Sequence, residues 1–164
     1  MPVHSYFFFI SCALVLGFVA GLRSMMAPAV LAIALARRPE LAPAASPAHW
    51  FSLRAVAIVL GLMALGELVV DKLPRTPNRT ALGPFVVRLL TGAITGAALV
   101  QLGAISGWIG AACGAVGAII GTFAGFHARR FAVRASGLRD PIIAVVEDVI
   151  ALALAASVVA SLLG

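Results

Sequence analysis

Residues 137–164 read GLRDPIIAVVEDVIALALAASVVASLLG: a glycine turn, Arg139 and Asp140, Pro141, and then an almost unbroken apolar run that carries Glu147 and Asp148 inside it. At 1.5 Å per residue, the run from 141 to 163 is long enough to cross the roughly 30 Å hydrocarbon core of a bilayer as one helix. A carboxylate at the centre of such a helix costs roughly 2.5–3.5 kcal/mol on insertion scales, so charges of this kind face a partner, a cavity or a substrate path. The stretch therefore sets both the fold class and the region in which function is to be sought.

The rest of the chain agrees with it. Of 164 residues, 62% are hydrophobic and 11% charged, and the mean hydropathy is +1.10. That composition excludes a soluble domain of this size, whose helices need polar faces. Four further apolar segments cover roughly 6–22, 52–71, 84–101 and 104–127. A shorter one, 25–36, extends only about 18 Å as a helix and is read as re-entrant, tilted or locally thinned. The expectation is an all-α, polytopic transmembrane bundle of five to six spans in one integral membrane domain, 1–164. The opening stretch Tyr6–Ala20 lacks a basic region before it and a small-x-small site after it, and is read as a retained helix.

Basic residues set the expected orientation. Lys72, Arg75, Arg79 and Arg88 flank one connection, and Arg129, Arg130, Arg134 and Arg139 flank another. Both loops, 72–83 and 128–140, are expected on the cytoplasmic side with the carboxy terminus outside. Arg37, Arg38 and Arg54 fall on the opposite side, so the count is eight against three. Membrane orientation thus accounts for the net charge of +6, and nucleic acid is not an expected partner. Trp50 and Trp108 fall near the assigned outer interface, where aromatic belts form. The thiols Cys12 and Cys113 sit in apolar segments as small buried hydrophobes and imply no disulfide.

Gly21-Leu22-Arg23-Ser24, Leu82-Gly83-Pro84 and Gly137-Leu138-Arg139-Asp140-Pro141 each open an apolar helix, a faint repeat that suggests three tandem helical hairpins. Gly103, Gly110 and Gly117 recur every seven residues, as do Gly107, Gly114 and Gly121, with Gly125 beyond. The spacing places them on one helical stripe, suited to close helix packing or to a homo-oligomer contact, and Gly17/Gly21 and Gly92/Gly96 repeat the theme.

Five of the six acidic residues form two groups, Glu67 with Asp71 and Asp140 with Glu147 and Asp148. Spacings of four and seven put Glu67 and Asp71 on one helix face and Asp140 and Glu147 on another. Arg88, four residues past Pro84, is the expected partner of Glu67, Glu147 or Asp148. Two roles fit these groups: a salt-bridge network that fixes helix order, or a cation or proton site, because burial and like charge both disfavour full ionisation of paired carboxylates. A third arrangement uses Lys72, Arg75, Arg79, Arg129, Arg130, Arg134 and Arg139 to hold anionic lipid headgroups. In its enzyme form, Asp71 and Asp140 serve as metal ligands beside a lipid phosphate. His127, at the end of a span, is read as passive.

Gly66-Glu67, Asp71-Lys72-x-Pro74, Pro84, His127 with Arg130 and Arg134, Asp140-Pro141 and Glu147-Asp148 together resemble the DUF4126 family, small bacterial membrane proteins of unknown function. The resemblance implies a polytopic domain in the bacterial cytoplasmic membrane, with Glu67, Asp71, Lys72, Glu147 and Asp148 as the matching positions, and no cofactor. The chain contains no Walker loop, no His-Glu-x-x-His, no Cys-x-x-Cys and no Gly-x-Ser-x-Gly elbow. A small transporter or channel-like protein is the first expectation, a lipid-phosphate enzyme or carrier the second, and a non-catalytic assembly subunit the third.

Overall fold

A computed structural model describes residues 3–71 and 80–163, with side chains from Ser5 onward. Lys72, Arg75 and Arg79 lie outside the described residues. The described chain is built of helices α1 (Val3–Leu22), α2 (Met26–Arg37), α3 (Ala48–Phe51), α4 (Arg54–Val70), α5 (Leu82–Gln101), α6 (Gly107–Ser136) and α7 (Asp140–Leu163), with a 3-10 turn at Pro39–Leu41. In lipid every backbone N–H and C=O must be satisfied internally, which is why apolar runs of this length become helices.

Among the described residues α1, α5, α6 and α7 are long and apolar enough to cross a membrane. α4 has 17 residues and α2 has 12, the short segment expected from the sequence. α2 is nonetheless the interior element of its side of the bundle, with Met26, Ala27, Ala29, Leu31, Ala32 and Leu35 buried. α4 is peripheral: it packs on α2 and the short α3, and Ala57 is its one buried residue.

α6 runs further than its apolar segment. Residues 128–140, read from sequence as a loop, are helix as far as Ser136, because the arginines and alanines there are good helix formers. Only residues 137–139 connect to α7. The helix stops at Gly137, whose φ of 64° is the left-handed C-cap conformation that glycine adopts without strain. At 30 residues, α6 is roughly 45 Å long, longer than the roughly 30 Å hydrocarbon core of a bilayer, and its last turns carry the exposed Arg130 and Arg134.

The tightest packing is among α1, α5 and α6, which are not sequence neighbours as a set; α4 and α5, though consecutive helices, make no extended contact. The C-terminal ends of α1, α4 and α6 and the N-terminal ends of α2, α5 and α7 still gather at one end of the bundle. Glycine explains the tight core. A methyl group on Gly114 would sit 2.1 Å from the Gly92 carbonyl oxygen, one on Gly96 2.3 Å from that of Gly110, and one on Gly121 2.1 Å from that of Phe18. The expected single stripe is in fact two adjoining edges: Gly110 and Gly114 meet α5, while Gly117 and Gly121 meet α1. Gly114 also lies against Gly17, so it marks the seam between the two edges. Gly103 belongs to neither, because it precedes α6 and abuts the Phe9 ring, and Gly107 meets Gln101. Gly125 is buried on the same helix. These close approaches are made within the chain.

Candidate functional site

The turn at residues 23–25 separates α1 from α2 and leaves two helix ends facing each other's neighbours. The last carbonyls of α1 and the first amides of α2 have no partners within their own helices. Arg88, 4% exposed and six residues into α5, donates from Nη1 to the carbonyl oxygens of Gly21 at 2.9 Å and Leu22 at 2.6 Å. A cation there also complements the negative end of the α1 dipole. From α4, Glu67 accepts from the Ser24 amide at 2.7 Å, the Ser24 hydroxyl at 2.6 Å and the Met25 amide at 2.8 Å. A carboxylate from one helix therefore caps the N-terminus of another. Arg88 Nη2 lies 3.8 Å from Glu67, so the two caps are themselves an ion pair. Of the three carboxylates expected as Arg88 partners, Glu67 is the one within ion-pair range among the described residues.

Arg23 is the centre of the cluster. Its side chain is fully buried, at 0% exposure, and three carboxylates surround it: Asp71 at the C-cap of α4 in direct contact, Asp148 of α7 at 2.5 Å from Nε, and Glu147 of α7 at 3.9 Å from Nη2. Glu67 and Asp71, four residues apart on α4, thus grip three consecutive residues of the turn. Glu147 also lies 3.7 Å from Arg129 Nη1, and Arg129 makes a two-pronged contact with Asp140, Nε to Oδ1 at 2.8 Å and Nη2 to Oδ2 at 2.6 Å. The planar guanidinium fork suits this geometry.

Sequence reasoning brought Glu67, Asp71, Arg88, Asp140, Glu147 and Asp148 to one end of the bundle, and the structure joins them through contacts. It missed Arg23, which spacing assigned to a turn, and it placed Arg129 with lipid headgroups although Asp140 and Glu147 occupy it. The available signal for Arg23 was a lone arginine between two apolar runs, the second too short to span. Arg130, Arg134 and Arg139 are exposed. Among the described residues the cluster joins three arginines and five carboxylates. No group of three His, Cys, Asp or Glu side chains there is arranged to hold a metal ion. Asp71 faces Arg23, and Asp140 faces Arg129.

A family model described as a domain of unknown function, DUF4126, matches residues 10–162, which include every residue of this cluster. Neither curated proteins nor solved structures give a match.

Proposed function

We propose, for a chain that belongs to the DUF4126 family and takes no activity from that membership, a small transporter or channel-like protein whose buried charge cluster carries a cation or a proton. One observation supports this reading above the others: fully buried Arg23 is held at the same time by α4, through Asp71, and by α7, through Asp148. α4 and α7 make no extended contact with each other, and charge at Arg23 ties the two. Glu147 stands between interior Arg23 and peripheral Arg129. Loading a proton or a cation onto this carboxylate weakens its hold on both arginines and lets α7 shift relative to the α1–α2 turn. A two-state movement of this kind requires only that the cargo favour one arrangement over the other.

In proteoliposomes with a trapped pH indicator and an imposed sodium or potassium gradient, wild type is expected to support flux. Glu147→Gln is expected to abolish it while the purified variant remains helical and monodisperse. Equal flux in both proteins sinks the assignment.

One observation favours the second reading, a lipid-phosphate enzyme or carrier: Arg130, Arg134 and Arg139 are exposed and, among the described residues, have no carboxylate in ion-pair range. That reading expects calorimetric binding of magnesium or manganese together with a lipid phosphate. A flat titration removes its metal-dependent form.

A further inference from the structure

The end of the bundle opposite the charge cluster holds two arginines that neither the cluster nor the orientation count explains, Arg37 at the end of α2 and Arg54 at the start of α4. Both are exposed, and neither has a carboxylate in ion-pair range among the described residues. They line one end of an open groove of about 810 Å³ between α2 and α4. Apart from these two residues its lining is apolar: Met26, Ala29 and Ile33 from α2, Ala57 and Gly61 from α4, with Leu152 of α7 closing one side. The groove follows α2 from Met26 to Arg37, a helical distance of roughly 16 Å.

We infer that this groove binds an anionic glycerophospholipid, with one acyl chain along α2 and the phosphate at Arg37 and Arg54. Charge complementarity selects this occupant. Bulk lipid tails need no cationic end to their groove, whereas an anionic phospholipid carries a phosphate at the head of its acyl chains and so matches an apolar groove that ends in two arginines. Guanidinium groups match phosphate oxygens with paired donors, and the volume lies within the roughly 300–1,000 Å³ typical of ligand sites. Gly61 faces the open space of the groove: a methyl group there would meet nothing nearer than Ile33 Cδ1, at 4.0 Å. The arginine end of the groove lies at the other end of the bundle from Glu147, and the inference does not depend on the transport reading.

The test uses the full chain in mixed micelles containing equal amounts of phosphatidylglycerol and phosphatidylcholine, with retained lipid read by native mass spectrometry. Wild type is expected to retain phosphatidylglycerol at least tenfold over phosphatidylcholine. Arg37→Gln with Arg54→Gln is expected to bring the two lipids level, and Gly61→Phe, which fills the groove without touching a charge, to lower retention of both. Gly61→Phe removes a helix-interior glycine, so loss of fold is not its expected consequence. Equal retention of the two lipids by wild type, a preference that survives the double arginine variant, or undiminished retention by Gly61→Phe would each overturn the inference.

Discussion

Replacing Arg23 by alanine is expected to destabilise the protein more than any other single change in the charge cluster. The guanidinium is fully buried, and its removal leaves Asp71, Glu147 and Asp148 facing one another in a largely enclosed space. Breaking a buried pair from one side costs about 3–5 kcal/mol, because the remaining charge keeps its desolvation penalty without its partner. At about 2–4 °C per kcal/mol for a chain of this size, the thermal midpoint in detergent should fall by roughly 10 °C. Arg23→Lys keeps the charge but loses the fork that reaches both helices, so it should fall by less. The decisive comparison adds Asp71→Asn and Asp148→Asn to Arg23→Ala. If Arg23 acts as the tie between α4 and α7, neutralising its partners recovers part of the lost stability; an unchanged midpoint in Arg23→Ala removes the tie.

The all-helical class, the short α2 and the gathering of acidic groups at one end were legible in the sequence, because each is written in local spacing or in the length of an apolar run, whereas the expected five to six spans compare with four described helices long and apolar enough to cross. Glu67 and Asp71 share a face at any helical spacing of four, and Asp140 and Glu147 at seven. What those faces meet is not local information. Arg23 and Asp148 are 125 positions apart, and periodicity names a side of a helix without naming its neighbour. The same limit turned two glycine edges into one stripe: positions 110, 114, 117 and 121 follow the helical repeat, but whether one helix or two lie across from them depends on the placement of α1 and α5. The basic stretch 128–136 was misread as a loop for a different reason, since an apolar-length criterion ends a span at the first charges, whereas a helix can continue into water.

Gly114→Leu is expected to separate the core helices of the monomer itself. A Cβ at this position would lie 2.1 Å from the Gly92 carbonyl oxygen and 3.2 Å from the Gly96 Cα, while Gly17 approaches the same residue from α1. These are backbone atoms, so no side-chain rotation relieves the clash, and the helices must move apart. Overpacking a well-fitted core costs about 1–3 kcal/mol and more where the neighbours cannot yield. In a bilayer the loss is compounded, since close van der Waals contact between helices stands in for the hydrophobic drive that water would provide. Gly66→Ala is the matched control: nothing lies within 4 Å of that position, and removing a helix-interior glycine should leave stability unchanged or raise it by up to about 1 kcal/mol. Far-UV circular dichroism during heating, together with the native mass of each variant, distinguishes the two uses of the glycine edge. A lowered midpoint for Gly114→Leu at unchanged oligomer mass places the edge between α1, α5 and α6 of one chain. An unchanged midpoint with a smaller mass would place it between copies, and the packing described for α6 would then be wrong.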